Sequence, residues 1–277
     1  MNYGKVTHSY LKNAYVSLMD RVHPDRLVAR NRELMGRNHG QRCFVLGSGS
    51  SIKRYDLTRL SGESVMTQNN FFVHDDIATI GPSYHCTVPY YQPDEQTTWL
   101  EWIEDMHRAL PDATFFWGSN TRPLIEHCGS DLARKSYYLH TRFDVLTLRR
   151  ARVDISRTVM TVPTVLTECL TVAMYLGFTT IILLGFDYDQ ICSTADQNFN
   201  RFYGLSKITD TSTERAIDKR LTEESAERWY SRWLNIKQLV LIREYAQTNN
   251  IEIVNGSAEG ILNVFPRRPV GHDFENA

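Results

Sequence analysis

Two short apolar runs, Arg42–Gly47 (RCFVLG) and Thr179–Leu184 (TTIILL), constrain this chain more than any other feature. Their length and their β-branched or aromatic content mark them as buried strands, of the kind found in parallel sheets covered on both faces. Further strands are predicted at Ser64–Thr67, Tyr84–Tyr91, Ala113–Trp117 and Ile251–Val254. Helical spacing falls between them: Glu95–Leu110, with Trp99, Ile103, Met106 and Leu110 on one face, then Arg122–Cys128, Val165–Leu176, and Glu223–Gln247 with Trp229, Trp233, Ile236, Leu239, Val240 and Tyr245 facing inward. Strand and helix alternate, which predicts an α/β fold with a mostly parallel sheet and helices on both faces. Ligands of such sheets bind beyond the carboxyl ends of the strands, so the loops opening at Gly47, Asn69, Gln92 and Gly185 are where chemistry is expected.

At 277 residues the chain is long enough for one large domain with an appendage. The segment 10–37 carries Leu11, Tyr15, Leu18, Met19, Val22, Leu27, Leu34 and Met35 at helical spacing, interrupted at Pro24. It reads as one or two amphipathic helices packed beside the main domain, giving a helical extension over residues 1–41 and a main domain over 42–277. The polar stretch 188–222 is longer than a passive connection and reads as a small lid. A net charge of -1 offers no global attraction for nucleic acid or an anionic membrane. Five cysteines (Cys43, Cys86, Cys128, Cys169, Cys192) without a CxxC pair fit reduced thiols, and the amino terminus lacks a signal peptide's apolar core. The expected location is therefore cytoplasmic, with peripheral contact at the inner membrane if the substrate is lipid-linked.

In VLGSGSS (Val45–Ser51) a strand runs into a glycine-rich turn, where Gly47, Ser48, Gly49 and Ser51 would let backbone N–H groups approach a phosphate. Ile52 stands where the dinucleotide fingerprint has its third glycine, and no Lys-Thr ending of a P-loop follows. In QNNFF (Gln68–Phe72) the amides of Asn69 and Asn70 combine donor and acceptor, which suits a nucleobase or ribose as well as an ordinary polar turn. YYQP offers Gln92 in the same two ways. GFDYDQ places Asp187 and Asp189 after the TTIILL strand, where a pair of carboxylates suits Mg²⁺ on a diphosphate, or simply fills a turn. His74, beside Asp75 and Asp76, is the histidine best placed for acid–base work, or for capping a helix. Arg149, Arg150, Arg152 and Arg157 form a basic cluster that reads first as a solvated face.

In this order, VLGSGSSIKRYDLTRL, TQNNFFVHDD, VPYYQP, LTVAMYLGFTTIILLGFDYDQ and RFYGLSKITD resemble the bacterial sialyltransferases of glycosyltransferase family 42 and the wider group around them, Maf-type motility-associated glycosyltransferases included. The resemblance spans roughly 42–210. It implies a Rossmann-like domain with a lid, an inverting transfer from a nucleotide sugar, CMP-linked and acidic as in CMP-sialic acid, and a glycan or glycolipid acceptor of the bacterial surface. It requires no metal, and implies Ser48, Gly49 and Ser51 around the CMP phosphate or ribose. Asn69 and Gln92 fall at nucleotide-binding amides, and Asp187 at the family's aspartate after the central strand.

The chain also departs from the family. Leu205 occupies the position of the lid histidine that serves as general base, and Val162–Leu166 (VPTVL) replaces the Arg-Thr-Ser-Gly segment. The expectation is therefore a glycosyltransferase in which His74 or Asp187 takes the acceptor proton and Tyr203 or Lys207 steadies the leaving phosphate. Two alternatives stay open: a pterin diphosphokinase-like phosphoryl transferase using Mg²⁺, and a nucleotide-binding protein without catalysis. No nucleic-acid partner is expected, and self-association is left open.

Overall fold

The computed structural model describes residues 3–87, 96–161, 164–188, 202, 225–257 and 259–268. Eight strands form one sheet: β1 (Arg42–Leu46), β2 (Val65–Gln68), β3 (Tyr84–Cys86), β4 (Thr114–Gly118), β5 (Ser136–Phe143), β6 (Thr158–Met160), β7 (Thr180–Leu184) and β8 (Glu252–Asn255). Their spatial order is β6-β5-β4-β3-β2-β1-β7-β8, and every pairing is parallel. The helices are α1 (Tyr3–Val22), α2 (Arg26–Ala29), α3 (Ile77–Ile80), α4 (Gln96–Ala109), α5 (Arg122–His127), α6 (Ser130–Arg134), α7 (Val165–Leu176) and α8 (Ser225–Thr248). The α/β, Rossmann-like expectation holds, with a wholly parallel sheet.

Side chains alternate across β1. Cys43 and Val45 enter the core beneath α7 and α8, with Met66, Cys86, Ile181 and Leu183 from the neighbouring strands. Phe44 and Leu46 enter the opposite core with Ile52, Phe71, Ile182 and Leu184. Farther along the sheet Phe115 and Trp117 pack with Trp99, Trp102, Ile103 and Met106 of α4. Every residue of α7 is buried, as expected of a helix that is apolar all round. The sequence reading places no strand between Cys128 and Val165, where β5 and β6 lie. Three-residue β6 is too short to show a period, and in the carboxyl half of β5 (HTRF) His140 and Thr141 are half-buried and Arg142 is exposed, which breaks the apolar run.

Two expectations about helix faces are reversed. Trp229 and Trp233 of α8, read as inward, are 59% and 45% exposed. On α1, a longer helix than expected, Leu11, Tyr15, Leu18 and Val22 face solvent, and the polar Ser9 is fully buried. The stretch between α1 and β1 is by contrast sewn into the sheet domain. The buried Asn31 Nδ2 donates to Tyr138 O and Ile155 O at 2.8 Å each, and Leu34 has no exposed surface. Gly36 N and Asn38 N donate to the carbonyls of Tyr175 and Leu176 at the end of α7.

Candidate functional site at the carboxyl edge

From β1 the chain builds outward to β6 and then returns to place β7 against the other side of β1. The chain therefore leaves β1 and β7 toward opposite ends of the sheet, which makes their carboxyl ends the switch point, where open parallel sheets hold ligands. Gly47 N donates to Leu184 O at 2.7 Å and Gly49 N to Gly185 O at 2.8 Å. The two turns approach so closely that a Cβ on Gly47 would lie 2.5 Å from Gly185 O, and one on Gly49 2.5 Å from Asp187 Oδ2. The glycines of this motif are thus required by packing inside the protein, whatever else binds there.

Asp187 is 4% exposed, and its carboxylate turns inward. Ser51 N donates to Oδ2 at 3.0 Å and Ser51 Oγ donates to Oδ1. Ser48 and Gly49 remain half-exposed at the rim of the turn, whereas Gly47 and Ser51 are buried. No cluster of three or more His, Cys, Asp or Glu side chains able to hold a metal occurs among the described residues. Asp189, Gln92, Tyr203 and Lys207 lie outside the described residues.

Beyond β2, Asn69 is half-buried with φ 43°, in the left-handed region that few residues other than glycine and asparagine tolerate. Tyr188, after β7, has φ 56°. Two unusual backbone conformations thus stand at the same edge, as happens where a fold positions groups for function. Asn70 behaves differently: it is 3% exposed, and its Oδ1 accepts from Trp102 Nε1 at 2.6 Å, which ties the loop to α4.

His74 lies parallel to Phe71, with ring centroids 5.4 Å apart, and 5.0 Å from the ring of Phe202. The N–H of Asp76 donates to His74 Nδ1 at 3.2 Å, so the neutral ring carries its proton on Nε2. Phe202 N in turn donates to Ser48 O at 3.2 Å. One residue therefore links the His74 stack to the glycine-rich turn.

Glu168 escaped the sequence reading. It has no exposed surface, neither carboxyl oxygen has a hydrogen-bond partner, and burial raises its pKa well above the carboxylate range. It sits in the first turn of α7, which packs on β2 and β3. Gln68, registered beside Cys86, has a buried Oε1 that is likewise unpartnered, as is Oε1 of Gln238 in α8. Nearby, Thr164 Oγ1 and Tyr188 OH lie 3.3 and 3.4 Å from Asn235 Oδ1. Buried polar oxygens without partners are uncommon, and among the described residues this edge holds four of them. The signal in the sequence was the single charge in an otherwise uncharged twelve-residue helix.

No protein-family model and no curated protein matches the chain. Among solved structures it is similar to the sialyltransferase CstII from Campylobacter jejuni in complex with a substrate analogue, cytidine-5'-monophosphate, at 15% identity over 83% of this chain and 86% of that one, with a TM-score of 0.45. It is also similar to the sialyltransferase CST-II with a trisaccharide acceptor and CMP, at 14% identity over the same shares, with a TM-score of 0.44. A likeness of this size says nothing of what the present chain binds.

Proposed function

We propose that this chain binds a CMP-linked sugar across the carboxyl ends of β1, β2 and β7 and transfers the sugar, with inversion, to a glycan acceptor. One observation carries the reading: Phe202 joins the His74 stack to the turn after β1, at the switch point of the sheet. The ordered motifs of the sequence support the same ligand class. The acceptor oxygen attacks the anomeric carbon, the bond from that carbon to the phosphate oxygen breaks, and the phosphate leaves with the electron pair. A base removes the acceptor proton.

Ser48, Gly49 and Asn69 are the proposed contacts to the nucleotide, with Gln92 added by the resemblance. His74 fits a hydrogen-bond donor through Nε2 better than a base, because its accepting nitrogen takes the Asp76 N–H. Asp187 serves as the organiser of the turn, since both oxygens accept from Ser51. That favours glycosyl transfer over a phosphoryl transfer in which Asp187 would hold Mg²⁺. Tyr203 and Lys207 are proposed partners of the leaving phosphate.

Thermal unfolding with CMP, CDP, UDP, GDP and ATP, each with and without Mg²⁺, tests the reading. A rise with CMP that needs no metal and is lost in Asn69→Ala is expected. A rise with ATP and Mg²⁺ alone would replace glycosyl by phosphoryl transfer.

A further inference from the structure

The first helix is attached to the domain by its polar side. Asn13 Nδ2 donates to Asp144 O at 2.8 Å and Asp144 N donates to Asn13 Oδ1 at 2.7 Å. Ser9 Oγ lies 2.9 Å from Thr147 Oγ1, and Asp20 Oδ1 accepts from Thr158 N and Oγ1 at 3.1 and 2.8 Å. The apolar side faces out: Tyr3, Tyr10, Leu11, Tyr15, Leu18 and Val22 are each more than half exposed. A helix docked only to fill a core would show the opposite arrangement.

The outward face continues onto α8. Lys5 Nζ lies 5.0 Å above the ring of Tyr230, which stacks with Trp233 at 5.9 Å; Trp229 is exposed beside them. Of the eleven large apolar side chains exposed among the described residues, nine belong to α1 and the first turns of α8, so they form a patch rather than a scatter. Six of those nine are tyrosine or tryptophan. These side chains have an apolar body and a polar tip, and they concentrate where water meets lipid headgroups.

Charge decides between occupants. The one acid of α1, Asp20, is half-exposed and bonded to Thr158, while Lys5 and Arg21 are exposed and Lys12 is half-exposed; on α8 Glu227 is exposed, with Arg232 and Lys237 half-exposed nearby. A second copy paired antiparallel along Leu11, Tyr15, Leu18 and Val22 would set Lys12 against Arg21, and a parallel copy would set Lys12 against itself. Both arrangements oppose like charges, whereas an anionic surface complements them. We propose that α1 and the first turns of α8 form a docking surface for an anionic lipid bilayer, with α1 lying in the headgroup plane and its apolar side chains entering the interface. Among the described residues no helix is long and apolar enough to cross a membrane, so the contact is peripheral. Asn13 bonds Asp144 directly after β5, so the surface reaches the carboxyl edge of the sheet.

The test is sedimentation of the full chain with vesicles of phosphatidylcholine alone and of phosphatidylcholine containing phosphatidylglycerol, at low and high salt. At least tenfold more protein is expected on the anionic vesicles at low salt, falling as salt is raised. Leu11→Ser with Leu18→Ser should abolish sedimentation while leaving the melting temperature within a few degrees. Lys5→Gln with Arg21→Gln should remove the preference for anionic vesicles. No binding to either vesicle overturns the proposal, as does equal binding to both. A wild-type dimer by light scattering that Leu11→Ser with Leu18→Ser converts to a monomer also overturns it and assigns the face to a second copy.

Discussion

Ser51 donates both its backbone N–H and its hydroxyl to the carboxylate of Asp187, 136 residues away in sequence. The pair ties the turn after β1 to the turn after β7 at the point where the sheet changes direction. Neither residue is available to a ligand in the way a bare glycine-rich turn suggests, yet their bond shapes the rim at Ser48 and Gly49.

Removing either partner should cost stability, and the costs should not add. Hydrogen bonds to a charged group contribute about 1.5–3 kcal/mol each, more when a buried partner is stranded. Asp187→Ala should therefore destabilise by more than Ser51→Ala, and the double variant should be little worse than Asp187→Ala. Urea unfolding of the three variants gives the coupling energy, expected at about 1–3 kcal/mol. Strict additivity would show that the pair does not act as a unit.

Adding one methyl group at the turn should have a comparable effect. A Cβ on Gly49 would meet Asp187 Oδ2 at 2.5 Å and Gly185 O at 2.6 Å. At Gly260, where φ is 95°, it would fall 2.2 Å from Asp187 O. Both clashes include backbone atoms, so relief requires moving a turn, at a cost of about 1–3 kcal/mol. Gly49→Ala and Gly260→Ala should each melt several degrees below wild type, while Gly62→Ala, with nothing within 4 Å of its Cβ, should show only the smaller strain of its φ of 85°.

How much was legible follows from how each signal arises. Val165–Leu176 and the strands β1 and β7 could be read almost to the residue, because burial on both faces leaves an unbroken apolar run. The outward faces of α1 and α8 could not. Periodicity says which residues share a face and nothing about whether that face meets the sheet, so Leu11, Tyr15, Trp229 and Trp233 looked like core. Motif reading found the edge where Asp187, Asn69 and His74 gather. It missed Asp187's partner, because a bond between Ser51 and Asp187 depends on strand order, which no local pattern encodes.

His85 should make the protein sensitive to mild acid. It is fully buried in β3, its Nδ1 lies 2.7 Å from Thr67 Oγ1, and burial lowers its pKa from 6.5 to about 3. Between those values the unfolded chain binds a proton that the folded chain refuses. Stability from this group is therefore full above pH 6.5 and falls as pH drops, at up to about 1.4 kcal/mol per pH unit. His85→Asn should flatten the slope between pH 6.5 and 5, above the carboxylate range, as measured by urea midpoints. His140, also lowered by burial, provides the comparison: His140→Asn should flatten it less.

Glu168 should produce the opposite slope. Its folded-state pKa is raised by burial above the ordinary 4.5, so the folded chain keeps a proton that the unfolded chain releases. Stability from this group is complete below pH 4.5 and is lost as pH rises toward the folded value, again at up to about 1.4 kcal/mol per pH unit. Glu168→Gln keeps the shape and cannot ionise. The variant should match wild type within about 1 kcal/mol at pH 4 and gain on it steadily from pH 5 to 7. The unpartnered oxygens of Gln68 and Gln238 remain in either chain, so the difference between the two curves reports Glu168 alone. A gap that does not change with pH would mean that Glu168 is ionised in the folded state and has found a donor.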